Sequence, residues 1–393
     1  THDIHLLTHQ LKAEEGSFSQ SVRLSFEKIN SNKIKRAGFK FGIVGAMPEE
    51  YRANLFGSSG YMAGVTSEGK LFGPGIESKT TLPKSALEDL RLTLKVEHKG
   101  NGFDFILEAS KRSNEDKSSV LLFINKSVRM KKGLLGNFAL FADYSQKNHA
   151  ASIPADIQEF QTDASFQDWQ ISGNKVKQNL DQTFGPILWT QYTLHRGVMK
   201  MTAQVSPMGR MNREKVHLEL WKEDKWKRVQ SSVIHEYAST AHFRIENWND
   251  QQPVPFRVFL KDGNEMGEWK GTIRKDPRNK KTIKLAALSC MKDGAFPNQY
   301  LQQNILAQNP DILFFAGDQL YESNGGYGIV RAYKLADVPR ASLNYLQKYW
   351  IFGWSFRDAM KGRPSVVIPD DHDVYHGNIW GLGGGPVPEG GSR

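Results

Sequence analysis

Residues able to bind metals or transfer protons follow three short apolar runs in the last third of the 393-residue chain. The runs and their clusters are Lys284–Ser289 with Cys290, Asp311–Ala316 with Asp318 and Tyr321, and Ser365–Ile368 with Asp370, Asp371, His372 and Asp373. In open α/β sheets, ligands bind beyond the carboxyl ends of the parallel strands. We therefore predict that the three clusters converge on one site.

The residue types in these clusters suit a site for two metal ions. Aspartate is a hard oxygen ligand for cations, whereas the thiolate of Cys290 and the phenolate of Tyr321 suit a transition metal such as ferric iron. Two metals about 4 Å apart can clamp a phosphate and generate hydroxide near neutral pH. Gly317 lets the chain turn sharply, so that Asp318 can point into the site.

Three short motifs carry a resemblance to a known family. They are SCM at 289–291, FAGDQLYE at 315–322 and VIPDDHDV at 367–374. They resemble motifs of the calcineurin-like metallophosphoesterase superfamily, in its alkaline phosphatase D branch. The resemblance extends over roughly 180–390. It implies an enzyme that hydrolyses phosphate mono- or diesters with a hydroxide bridging two metals.

The resemblance also implies a role for each matching residue. Asp318 would bridge both metals, while Tyr321 and Cys290 would bind the iron. Asp371 would bind the second metal, and His372 would contact the substrate and act as general acid. The implied metal pair is Fe³⁺ with Ca²⁺, and Zn²⁺ or Mn²⁺ are the alternatives.

The chain departs from the superfamily pattern in one respect. The superfamily has further metal-binding histidines near the end of its catalytic domain, and no histidine follows His376 here. We therefore expect the 393-residue chain to be an inactive fragment with the first half of the catalytic domain. We also expect the reading frame to continue for at least ~150 residues, because an α/β domain rarely closes with three strands.

Several of these positions also have a simpler interpretation. Cys290 taken alone could be a small buried apolar residue, but its position at a strand end, with two matching clusters elsewhere, favours a metal ligand. Asp370 could bind metal or only orient His372. Asp373 could support a ligand or the loop, and Glu322 could face either the site or solvent. The sequence leaves the alternatives for Asp370, Asp373 and Glu322 open.

The elements around the clusters predict an α/β fold for residues 281–393. Helix-like stretches at Pro297–Asn309 and Leu343–Met360 alternate with the three apolar runs. Strand, helix, strand, helix, strand is the beginning of a mainly parallel sheet. The charged segment Arg274–Lys281, which contains a proline, is the predicted boundary before this domain.

Residues 179–280 predict a small all-β sandwich of fibronectin or immunoglobulin type. Strand patterns at Gly197–Val205, Val216–Trp221, Ala241–Glu246 and Phe256–Leu260 recur over a length that suits such a domain. This block, which begins near Phe184–Leu194, is similar to the small β-sandwich that precedes the catalytic domain in the alkaline phosphatase D family.

Residues 1–178 predict a first all-β sandwich. A hairpin is indicated by two alternating runs around His98–Gly102. The runs Ser119–Ile124 and Gly136–Ala142 predict strands buried on both faces. This region resembles the lectin-like jelly rolls that accompany extracellular enzymes, which implies glycan binding.

The charge and composition of the chain indicate which kinds of molecule it could bind. The net charge is +10 at pH 7, which favours anionic partners. The basic residues are scattered rather than clustered, which argues against nucleic-acid binding. The chain has one cysteine and no apolar run long enough to span a membrane. The family resemblance implies a secreted or periplasmic protein.

Two functions from different classes follow. The first is a metal-dependent phosphoesterase acting on a phosphate ester, with a phosphorylated or anionic polysaccharide as one substrate class. The second is a secreted glycan-binding protein whose phosphoesterase region is vestigial. The chain keeps Cys290, Asp318, Tyr321, Asp371 and His372 together, which favours the enzyme.

Overall fold

The chain is mostly β-structure, arranged in several sheets. The computed structural model describes residues 2–26, 34–45, 47, 49–55, 59–112, 118–129, 134–144, 164–207, 215–262, 265–291, 295–324 and 328–374. The chain divides into two compact units, Thr1–Thr183 and Phe184–Arg393. The predicted boundary at 280/281 lies inside the second unit.

The described strands of the first unit form two antiparallel sheets. Its elements are β1 His2–Leu11, β2 Phe18–Phe26, β3 Ile34–Ile43, α1 Tyr51–Leu55, β4 Tyr61–Thr66, β5 Leu71–Gly73, β6 Ile76–Glu77, β7 Leu90–Lys99, β8 Gly102–Arg112, β9 Ser118–Arg129, β10 Gly136–Tyr144, β11 Ala164–Ser172 and β12 Val176–Gln178. The strand orders are β12-β1-β10-β3-β4-β5-β6 and β11-β2-β7-β8-β9. Both sheets contribute to one core, in which Phe18 of one sheet contacts Phe41 and Phe138 of the other.

The predicted hairpin is confirmed, and one burial prediction is wrong. β7 and β8 pair from Arg91↔Ser110 to Lys99↔Gly102. β10 lies between β1 and β3 and is buried, as predicted. β9, which contains the run Ser119–Ile124, lies at the end of its sheet, with Val120 55% and Phe123 58% exposed. An apolar run does not reveal whether a strand has a neighbour on its second side.

The β-rich part of the second unit also has two antiparallel sheets around one core. Its strands are β13 Ile187–His195, β14 Val198–Val205, β15 Lys215–Lys222, β16 Lys225–Val233, β17 Thr240–Ile245, β18 Val254–Asp262 and β19 Glu265–Ile273. The orders are β13-β14-β17 and β16-β15-β18-β19. Met201, Phe243, Leu218 and Phe256 belong to the shared core.

Among its described residues, the rest of the second unit forms a three-stranded parallel sheet with two helices. Its elements are β20 Leu285–Leu288, α2 Gln299–Gln308, β21 Ile312–Ala316, α3 Val338–Met360 and β22 Ser365–Ile368, with β21 in the centre. Helix α3 begins at Val338, earlier than the predicted Leu343. It covers one face of the sheet, where Phe315 packs against Phe352 and Phe356 with ring centroids 4.9 and 5.3 Å away.

The parallel register aligns the strand ends at one edge. Leu288 lies beside Phe315, and Ala316 lies beside Ile368. The residues that follow each strand therefore leave the sheet at the same level. None of the helices in the described parts of the chain is long and apolar enough to cross a membrane.

Candidate metal centre

The side chains after β20 and β21 meet at the carboxyl edge of the parallel sheet. The Sγ of Cys290 lies 3.6 Å from Oδ2 of Asp318. The hydroxyl of Tyr321 donates to the same Oδ2 at 3.2 Å. Cys290 is exposed rather than buried in an apolar core. The thiol, the phenol and the carboxylate therefore share one small volume.

The backbone holds Cys290 and Asp318 in left-handed conformations, with φ of 59° and 56°. Such values are uncommon for residues other than glycine and occur often at functional sites. Gly317 has a φ of 86°, and a Cβ there would lie 2.3 Å from Cβ of Asp370. Glycine at 317 therefore lets the loops after β21 and β22 approach closely.

Asp371 and His372 complete a group that could hold a metal ion. One ligand atom from each of Asp318, Asp371 and His372 lies within 4.8 Å of the others. Asp318 is buried, and its Oδ1 has no hydrogen-bond partner among the described residues. A buried carboxylate oxygen without a partner is costly. The group therefore fits a cation, which would supply the missing partner.

Asp373 joins the two loops that carry the site. Its buried carboxylate accepts hydrogen bonds from the backbone N–H groups of Asp318 at 2.7 Å, Gln319 at 2.8 Å, Leu320 at 3.3 Å and Asp370 at 2.9 Å. Burial raises the pKa of Asp373, and these four donors act in the opposite direction. Asp373 supports the loops rather than facing a ligand.

Asp370 lies outside the group of three. Its Oδ1 accepts the backbone N–H of Asp371 at 2.8 Å. Its own N–H donates to Asp373. These local bonds fix the start of the loop that carries Asp371 and His372.

Glu322 faces the site rather than solvent alone, which the sequence left open. Its Oε2 lies 2.7 Å from Nδ1 of His372. This hydrogen bond raises the pKa of His372. Burial alone would raise the pKa of Glu322, but the bond with His372 lowers it below its usual value.

The ring of Tyr321 packs against His372, with ring centroids 4.4 Å apart. Burial, a hydrogen bond with Cys290 and the nearby Asp318 all raise the pKa of Tyr321. The phenol is therefore protonated in this environment at neutral pH. Binding to a metal would require a cation strong enough to displace that proton.

Lys348 and Asn344 of α3 support the site, and sequence reasoning missed both. Nζ of Lys348 donates to the backbone carbonyls of Glu322 and Gly328, and Nδ2 of Asn344 donates to that of Gly328. Both side chains are only 3% exposed. The available signal was the presence of polar residues in a helix rich in aromatic side chains, because buried polar groups need partners.

Comparison with known proteins adds little to this geometry. No protein family and no curated protein matches the chain. A solved structure, a beta-glycosidase from Bacteroides vulgatus, aligns with 94% of the chain at 9% sequence identity and a TM-score of 0.24. The chain spans 42% of that protein's length. A TM-score this low does not indicate a common fold or function.

Proposed function

We propose that residues 281–393 are part of a metal-dependent phosphoesterase domain of the alkaline phosphatase D type. The observation that carries the proposal is the meeting of Cys290, Asp318 and Tyr321 beside Asp371 and His372 at one sheet edge. Carboxylate, phenol, thiol and imidazole together are a ligand set for metals rather than for an apolar ligand.

The residues divide into two roles under this proposal. Cys290 and Tyr321 would hold iron, Asp371 would hold a second metal such as calcium, and Asp318 would serve both. Zn²⁺ or Mn²⁺ are the alternatives. Bound metals would neutralise the phosphate and acidify a water molecule. Supporting evidence is the buried Oδ1 of Asp318, which lacks a partner among the described residues.

His372 is the proposed proton donor to the leaving oxygen, acting as an imidazolium that carries a proton on each ring nitrogen and becomes the neutral Nδ1–H form after the transfer. Nδ1 already bonds to Glu322, so Nε2 is the ring nitrogen that remains for the substrate. A ring nitrogen of His372 lies within 4.8 Å of carboxylate oxygens of Asp318 and Asp371, so the imidazole would be near a phosphate bound by metals at these residues. A general acid at this position contributes typically 10²–10⁴-fold to the rate.

The proposal also covers the β-rich regions, the class of substrate and the cellular location. Residues 1–178 would be a lectin-like jelly roll that binds a glycan, and residues 179–280 a sandwich of immunoglobulin or fibronectin type. The net charge of +10 suits a phosphorylated or otherwise anionic polysaccharide. A secreted or periplasmic location belongs to the same proposal.

Hydrolysis by the protein expressed from its complete reading frame tests the function. After loading with iron and calcium, it should release nitrophenol from p-nitrophenyl phosphate or from bis(p-nitrophenyl) phosphate, and chelators should stop the release. Asp318→Asn should abolish it, whereas Asp224→Asn, in an exposed turn, should not. A metal-loaded protein without activity on either ester would contradict the proposal and favour the glycan-binding alternative.

A further inference from the structure

We infer that Glu322 is a positioning residue that fixes the tautomer and orientation of His372. The inference rests on the proposed function for its catalytic meaning. The hydrogen bond that carries it is a property of the chain alone. Glu322 lies directly after Tyr321, so the same loop supplies both a site residue and the partner of His372.

The contact has the geometry of a specific hydrogen bond. Oε2 of Glu322 lies 2.7 Å from Nδ1 of His372, and the side chains are 20% and 33% exposed. In a neutral imidazole whose Nδ1–H donates to a carboxylate, the lone pair lies on Nε2. Carboxylates that hold histidines in this way fix both the tautomer and the ring orientation in metal sites.

The ring of His372 is also restrained from its face. Tyr321 lies with its ring centroid 4.4 Å from that of His372, at an interplanar angle of 43°. Rotation of the imidazole would lose both this contact and the bond to Glu322. Glu322 therefore holds the imidazole ring at its Nδ1 edge, and Tyr321 holds it at its face. Nε2 remains for a ligand or substrate.

Helix α3 restrains the loop that carries Glu322. Lys348 donates to the carbonyl of Glu322 itself and, at 2.8 Å, to that of Gly328. Asn344 adds a bond of 2.9 Å to Gly328. Burying an ammonium group is costly unless it is well hydrogen-bonded. A buried lysine that donates to this loop is expected where the position of the loop matters.

Nitrogen NMR of the ¹⁵N-histidine-labelled 393-residue chain, free of metal, tests the inference. At a pH where the imidazole is neutral, His372 should be protonated at Nδ1. Glu322→Ala should shift it towards the Nε2–H tautomer, and Glu322→Gln should retain the Nδ1–H form, because its amide oxygen still accepts. Comparison with His372→Asn identifies the signals.

Glu246→Gln is the control, because Glu246 is exposed and its carboxylate bonds to Arg244 at a site remote in sequence. It should leave the His372 signals unchanged. A wild-type His372 protonated at Nε2, or identical spectra for the wild type and Glu322→Ala, would overturn the inference.

A second experiment measures the rate of ester hydrolysis by the metal-loaded protein expressed from its complete reading frame. Glu322→Ala should lower the rate by about 10–100-fold, the usual cost of losing such a partner, and Glu322→Gln should recover most of it. Equal rates in both variants and the wild type would overturn the positioning role. If the tautomer shifts as expected but the wild type hydrolyses nothing, the proposed function fails and the tautomer assignment stands.

Discussion

Asp373 shows how a single carboxylate can hold the two loops of the candidate site in place. It accepts four backbone N–H groups, three from the loop after β21 and one from the loop after β22. Charged acceptors make stronger hydrogen bonds than neutral ones. Asp373 therefore fixes the positions of Asp318 and Asp370 before any ligand arrives.

Asp373→Asn should destabilise the second unit by about 1–3 kcal/mol, because an amide group can accept through only one of its two terminal atoms. Chemical denaturation monitored by tryptophan fluorescence measures this loss. The signal reports mainly on the second unit, because Trp169 is the only one of the nine tryptophans that lies in the first unit. Asp370→Asn is the matched control, because its side chain has one local backbone bond. An equal loss of unfolding free energy in the two variants would contradict the role of Asp373.

The candidate site shows which residues a sequence can and cannot reveal. Cys290, Asp318 and Tyr321 were predictable because each lies within five residues after an apolar run, and parallel strands end at one edge. The partnership of Glu322 with His372 was not, because fifty residues separate them and a loop conformation decides it. The same holds for Lys348, whose partners are backbone atoms that any sequence would provide.

At the scale of elements, helix α3 links the parallel sheet to the preceding β-rich part of the second unit. Trp189 of β13 lies beside Tyr349 with ring centroids 6.0 Å apart. A Cβ on Gly353 would come within 2.2 Å of the Trp189 ring. Close packing of β13 on α3 therefore requires a glycine within the helix.

Gly353→Ala should destabilise the second unit by about 1–3 kcal/mol through overpacking, which exceeds the ~1 kcal/mol gain in helix propensity. Gly362→Ala is the matched control, because nothing lies within 4 Å of a Cβ there. It should leave the midpoint of thermal unfolding unchanged or slightly higher. A stabilised Gly353→Ala would show that α3 does not pack against Trp189 in this way.

The charged segment before β20 is bonded to the α/β part rather than free. Oδ1 of Asp311 accepts from Nζ of Lys280 at 2.5 Å, and Oδ2 accepts from the N–H of Lys284 at 3.0 Å. Burial alone would raise the pKa of Asp311, but these donors lower it below its usual value. The predicted linker is thus anchored to the beginning of β21.

Asp311→Asn should lower stability at neutral pH by about 1 kcal/mol, since Lys280 is largely exposed and screened by water. With a lowered pKa in the folded state, the carboxylate stabilises the fold above its unfolded pKa near ~4, and this stabilisation is lost as the pH falls through the folded pKa. Urea unfolding across acidic pH measures it. The free energies of unfolding of the wild type and the variant should become equal in acid. A difference between them that stays constant with pH would contradict the account.

At the scale of the whole molecule, the succession of regions was predictable from hydrophobic periodicity. Alternating patterns indicated the antiparallel sheets, and the change of period near Lys284 indicated the parallel one. Strand order was not predictable, because β1 pairs with β10 and β12, far away in sequence. The edge position of β9 has the same cause, since it depends on which strands become neighbours.

Residues 184–393 expressed alone should unfold cooperatively and bind metal as tightly as the longer chain does. All of the candidate ligands and the supporting residues of α3 lie in that unit. Calorimetry and metal titration of both chains measure this. A tenfold weaker affinity in the shorter chain would show that the first unit contributes to the site.

The position of a bound metal tests the central claim most directly. Crystals of the protein expressed from its complete reading frame, grown with iron, should give an anomalous peak at the iron edge. We predict that this peak lies in contact with Cys290, Asp318 and Tyr321, the three side chains that already lie within hydrogen-bonding reach of one another. Iron bound elsewhere, with Asp318 contacting no metal, would contradict the account.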